Sequence, residues 1–191
     1  MFGIPEVNIV APMGVEGEWI TAVENAKVVE ASAKVIRYTI GVRGNVEGNY
    51  EEFRKLVAET LNDSRGWPRA GVRFEEVGNG GAFAIYLQEP ALFDNYAGCH
   101  HTLSCRSGNN VMINDERWRL GTEHWTGTGL PLVDYQRLIV NHEVGHWLGH
   151  RHVDTPCSAT SVPMPLMLES SLRGSCKPNI WPLEDELWHQ R

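Results

Sequence analysis

The chain has 191 residues, 42% of them hydrophobic and 21% charged, which suits one globular domain with a sizeable core. Its formal net charge of −7 argues against nucleic acid as a partner, because binding a phosphate backbone needs clustered Lys and Arg. No stretch approaches the roughly 18 unbroken apolar residues of a membrane span.

Residues 1–31 are weakly periodic and mixed in polarity, and read as an N-terminal arm or peripheral segment. Their first part carries no basic cluster and no long apolar run, so it does not read as a secretory signal. Residues 32–191 read as a single domain, with an N-terminal lobe to about 149 and a C-terminal lobe over 150–191. Lys34 to Val42 is β-branched and roughly alternating, which predicts a strand. Gly44, Asn45 and Gly48 mark a turn. Asn49 is a helix N-cap candidate with Glu51 and Glu52 in the first turn, and Phe53, Leu56, Val57 and Leu61 follow at helical spacing. The helix is expected to end near Asn62, before Gly66-Trp67-Pro68. Strands are expected around Val72–Val77 and Phe83–Leu87, joined as a hairpin through Gly78-Asn79-Gly80-Gly81. Residues 90–108 and 119–131 read as loops around a short strand at Val111–Asn114. A long helix is expected from Leu132 to Gly149. Five prolines from Pro156 to Pro182 make the remainder irregular, apart from a short helix over Leu183–His189.

The chemistry is concentrated in Asn141-His142-Glu143-Val144-Gly145-His146-Trp147-Leu148-Gly149-His150-Arg151-His152. On a helix, positions i and i+4 share a face, so His142 and His146 can present two imidazoles to one ion. Glu143 borders that ion without being forced to bind it. Gly149 can take positive φ, end the helix and let the chain return with His152 as third ligand. His150 competes for that role, but it follows Gly149 directly and has little reach. Three protein ligands leave a position for water, as in catalytic zinc sites. The pattern predicts one Zn²⁺ held by His142, His146 and His152. Its bound water would be activated by Glu143, the general base that later delivers the proton to a leaving amine.

Cys99, Cys105, Cys157 and Cys176 form no C-x-x-C pair, and their even number suggests two disulfides and an oxidising compartment. Position in the chain suggests Cys99–Cys105 and Cys157–Cys176, although four cysteines allow three connectivities and four free thiols is the rival reading. The cysteines favour an extracellular or virion-associated location over the intracellular one that a missing signal would favour. His100 and His101, between two of the cysteines, read as a solvated loop or a weak second metal site.

The extended His-Glu-x-x-His-x-x-Gly-x-x-His pattern resembles the metzincin clan of zinc peptidases. A closer resemblance is to a metzincin-like domain of unknown function from high-GC Gram-positive bacteria and their phages. It is carried by Arg37–Val42, Gly71-Val72-Arg73-Phe74, Cys105-Arg106-x-Gly108-Asn109, Arg117-Trp118-Arg119, Val140 to His146, His152-Val153-Asp154 and Cys176-x-Pro178-Asn179-x-Trp181-Pro182, over roughly residues 34–183.

The resemblance implies an α/β (α+β) fold: a mixed twisted sheet, two main helices and a small irregular C-terminal lobe with a methionine turn beneath the metal. Met167 is the expected turn residue and Met164 the alternative. Asp154 is expected to brace a ligand or the turn. A polypeptide substrate would lie extended along the edge strand supplied by the segment before Val111. The chain departs from better-known metzincins at Val153, directly after the third histidine, and at Glu169, where some carry a tyrosine. His124 and Arg151 are the remaining candidates for stabilising the transition state, or else plain surface residues. The leading expectation is a metalloendopeptidase. Its alternatives are a zinc amidase on cell-wall peptides and a non-catalytic, zinc-stabilised binding or virion module. Nothing in the sequence fixes an oligomeric state.

Overall fold

The computed structural model describes residues 33–153, 161–168 and 176–191. The arm expected over 1–31 lies outside the described residues, and Lys34–Arg191 form one compact unit. Five strands make one mixed sheet: β1 (Lys34–Arg43), β2 (Val72–Glu76), β3 (Phe83–Gln88), β4 (Cys105–Ser107) and β5 (Asn110–Asn114). The spatial order is β2-β1-β3-β5-β4. The first four in that order are parallel, and β4 runs antiparallel to β5 along one edge. The helices are α1 (Tyr50–Leu61), α2 (Asp115–Leu120), α3 (Glu123–Thr126) and α4 (Leu132–Leu148). No described helix is long and apolar enough to cross a membrane.

Alternation in β1 buries Ile36 and Tyr38 and leaves Val35 and Arg37 in solvent, as a strand covered on one face requires. Asn49 starts α1 by accepting from the Glu51 and Glu52 amides at 3.0 and 3.2 Å. Asn62 ends it and exchanges two hydrogen bonds with the Phe74 backbone, at 3.0 and 3.1 Å, which ties the helix end to β2. Phe53, Val57 and Leu61 of α1 and Leu138, Val140 and Val144 of α4 share one core with Ile36, Phe74, Ile85, Val111 and Ile113 of the sheet. The two long helices therefore cover that face, with α4 over the β5–β4 end.

The expected hairpin between β2 and β3 does not form. Both strands run parallel to β1, on opposite sides of it. The register of β2 ends at Tyr38, and that of β3 begins there. The link crosses β1 at this point: Val77 donates to the Tyr38 carbonyl and Ala82 to the Arg37 carbonyl. A Cβ on Gly81 would meet the Tyr38 carbonyl carbon and the Thr39 nitrogen at 2.9 Å. The glycine serves a crossing of two backbones, not a reversal.

Two segments expected to be loops are partly ordered. Residues 90–108 contain a 3-10 turn at Pro90–Asn95 as well as β4, and residues 119–131 contain the end of α2 and all of α3. Asn114 caps α2 through the Arg117 amide and Thr122 caps α3 through the Trp125 amide. Both helices are too short to display a period. The expected C-terminal helix is a single 3-10 turn at Glu184–Glu186.

Candidate metal centre

Helix α4 carries the site and is buried over most of its length, including His142 and Glu143. Nε2 of His142 and Nε2 of His146 lie 3.2 and 3.1 Å from Nε2 of His152. Each ligand candidate on the helix is oriented from behind. His142 Nδ1 donates to the Leu166 carbonyl at 2.8 Å, and His146 Nδ1 donates to the His150 carbonyl at 3.0 Å. With those protons committed, a neutral ring presents a bare Nε2 lone pair. His152 Nε2 completes a group of three ring nitrogens that could hold a metal ion. Burial is the main reason that the His146 pKa falls to about 4, with the charges of His152 and Arg106 adding and the bond to His150 opposing. The ring is thus neutral and ligand-ready at neutral pH.

Gly149 closes α4 at φ 116°, in the left-handed region, with its amide and that of His150 folded back onto Gly145 and His146 carbonyls. His152 then faces the ion position, while its neighbour Val153 donates to the Met167 carbonyl at 2.9 Å. His150 points away from the histidine cluster. It is buried, bonds the Trp188 carbonyl at 2.8 Å and lies against the Trp67 and Trp188 rings.

Of the two candidate methionines, Met167 is the one packed on α4, against Gly145. The Pro165–Leu168 turn that contains it is held by Glu186, a residue that sequence reasoning passed over. The buried Glu186 carboxylate accepts from the Leu166 amide at 3.0 Å, the Met167 amide at 2.8 Å and the Leu183 amide at 2.8 Å. The Met167 amide and the Leu166 carbonyl that accepts His142 Nδ1 belong to one peptide unit, so Glu186 fixes the carbonyl that orients a ligand candidate. Asp154 and Glu169 lie outside the described residues.

A cavity of about 330 Å³ opens onto the three imidazoles and Glu143. Ile139 and Tyr135, about one and two helical turns before Glu143, form a largely apolar wall. The opposite side is the Gly98–Arg106 segment, which ends in edge strand β4 and is clipped by the Cys99–Cys105 disulfide. Cys176 is not free, and its expected partner Cys157 lies outside the described residues. Neither His124 nor Arg151 lines this cavity; both are exposed elsewhere. Arg106 does line it; in the sequence it stood out only as part of the Cys105-Arg106-x-Gly108-Asn109 segment of the family resemblance, with no role attached to it. Asp94, His100 and His101 form a second, fully exposed group, in which Asp94 bonds His101 at 3.0 Å.

The sequence matches one family model, described as "Protein of unknown function (DUF3152)", over residues 9–186. No curated protein and no solved structure matches it.

Proposed function

The chain belongs to the DUF3152 family, and we propose that it is a metzincin-like zinc peptidase that cleaves within polypeptide chains. The observation that carries this reading is the convergence of the His142, His146 and His152 Nε2 atoms at 3.1–3.2 Å beside Glu143, in a cavity open to solvent. A tetrahedral zinc ion with Zn–N bonds of roughly 2.0–2.1 Å needs its nitrogens about 3.3 Å apart, so these residues fit it. All-nitrogen donation by three neutral imidazoles also suits zinc better than magnesium or calcium, which prefer oxygen.

Zinc bound there would supply a Lewis acid and bring the pKa of a coordinated water from 15.7 to about 7. The protein's own part is positional and protonic. His142 and His146 are held in one tautomer by the Leu166 and His150 carbonyls. Glu143, on the helix turn between them, takes a proton from the attacking water and returns it to the leaving nitrogen. Met167 supports α4 from below in the role of the turn methionine. The side of β4 away from β5, unpaired among the described residues, offers backbone groups to an extended peptide, which would add as a further strand. The Cys99–Cys105 disulfide favours an extracellular or virion-associated setting.

The test is a peptide and unfolded-protein cleavage assay on zinc-loaded protein, with Glu143→Gln as control. The variant is expected to keep its zinc and its melting temperature and to lose roughly a hundred- to ten-thousand-fold in turnover. Equal cleavage by the folded, zinc-loaded variant would sink the mechanism.

A further inference from the structure

We infer that Arg106 is the anion-recognising residue of the cleft and that the substrate presents it with a carboxylate. The inference rests on the peptidase reading for what occupies the cleft. Arg106 is the central residue of β4 and pairs with Val111, whose side chain faces the core under α4. Side chains directly opposite in a sheet share a face, so Arg106 leans toward α4 and lines the metal cavity with Glu143 and His146.

Arg37, Arg54, Arg65, Arg119 and Arg137 each hold a carboxylate. Arg43, Arg73, Arg151 and Arg191, like Arg106, form no ion pair among the described residues, but Arg43 and Arg191 have hydrogen-bond partners and lie over aromatic rings, and Arg73 and Arg151 are exposed. Arg106 differs in that its Nε is buried with no hydrogen-bond partner among the described residues. Glu143 is the only carboxylate among the described residues lining the cavity, and it is committed to proton transfer in the proposed mechanism. A part-buried guanidinium beside a site that takes a dication leaves local positive charge that only an arriving anion offsets. A peptide backbone is neutral and does not do so. A carboxylate does, and the planar guanidinium fork matches it with two parallel N–H bonds. The overall charge of −7 does not cancel this attraction, because exposed charges beyond about 8–10 Å are largely screened at ordinary salt. The carboxylate has two possible sources, an acidic side chain within the peptide or the free C-terminus.

Zinc-loaded Glu143→Gln protein separates binding from turnover. Fluorescence polarisation is read with labelled hexapeptides, amidated at the C-terminus, in which one Glu is moved through the six positions. Each is matched by its Gln counterpart, and a further pair differs only in a free or amidated C-terminus. One Glu register, or the free C-terminus, is expected to bind roughly ten- to hundred-fold more tightly than its neutral match. Adding Arg106→Gln should abolish that preference, with zinc content and melting temperature showing that the variant is loaded and folded. Arg106→Lys should restore part of it.

Equal binding of acid and amide in every register overturns the inference, as does a preference that survives Arg106→Gln. No binding by any of the peptides overturns it too. If the Arg106-dependent preference is present but the Glu143-intact protein cleaves none of the peptides, the peptidase reading fails and the assignment of Arg106 stands. Cleavage with no acid preference gives the reverse result.

Discussion

Met167 is packed directly on Gly145, the residue of α4 before ligand candidate His146: a Cβ on Gly145 would lie 2.5 Å from Met167 Sδ and 3.0 Å from the Trp67 ring. Glycine inside a helix costs about 1 kcal/mol relative to alanine, and here its lack of a side chain lets the methionine and the tryptophan reach the helix that holds the metal candidates. Gly145→Ala therefore combines a gain in helix propensity with overpacking worth roughly 1–3 kcal/mol. The expected result is a net loss of about 1 kcal/mol in stability and weaker zinc binding, measured by denaturant titration and by competition with a chelator. The double variant Gly145→Ala, Met167→Ala should recover zinc affinity if the contact acts by position. Additive losses would show that the two residues are uncoupled.

The histidines at 150 and 152 should separate cleanly. His152→Ala is expected to lose most of the bound zinc and keep its fold, because His152 contributes a nitrogen to the cluster and little packing. His150→Ala should do the opposite. It removes a buried ring lying between Trp67 and Trp188 and a hydrogen bond to the Trp188 carbonyl, costing about 2–3 kcal/mol. Its backbone carbonyl, which orients His146, remains. Metal analysis by mass spectrometry beside a melting curve decides the matter. Full zinc retention in His152→Ala would disprove its assignment.

The histidine cluster was legible in the sequence because two of its members are fixed by helical repeat alone and the third by a single glycine that ends the helix. β1, α1 and α4 were legible for the same local reason: each is long enough to show a period, and Asn49 and Gly149 mark ends by their own chemistry. Glu186 and Arg106 were not. Their importance depends on partners far away in sequence, such as Leu166 for Glu186, or on the lack of one, as at Arg106. No local pattern encodes either fact. The Gly78–Gly81 link was misread because a reversing turn and a close backbone crossing demand the same residue.

That crossing makes a sharp prediction. Every atom nearest a Cβ on Gly81 is backbone, from Tyr38, Thr39 and Phe83, so no side chain can swing aside. Gly81→Ala should destabilise the protein by about 2–3 kcal/mol. Gly78→Ala and Gly80→Ala differ, since nothing lies within 4 Å of a Cβ at either. Gly78→Ala should be nearly neutral, and Gly80→Ala should lose only the roughly 1 kcal/mol that a φ of 70° imposes on a non-glycine residue. Urea midpoints of the three variants test the ordering. A neutral Gly81→Ala would restore the hairpin reading.

Glu186 joins the C-terminal segment to the histidine cluster through the Leu166–Met167 peptide unit. Its carboxylate takes the Leu166 and Met167 amides, and the Leu166 carbonyl takes His142 Nδ1. Glu186→Ala leaves three amides, two of them buried, without their acceptor, at about 1–3 kcal/mol each, and should unfold the turn outright. Glu186→Gln is the more informative change. It keeps one oxygen acceptor and sets an NH₂ group against an N–H, so the turn must shift to relieve the clash of donors. The expected outcome is a protein that still folds, with a melting temperature lowered by several degrees, and that binds zinc 10- to 100-fold more weakly, the usual scale for losing an outer-shell partner. Zinc affinity has to be compared with that of a control destabilised to the same degree away from the site, such as Gly81→Ala. If both variants lose stability alike and bind zinc equally well, Glu186 acts only as packing for the C-terminal segment and has no hold on His142.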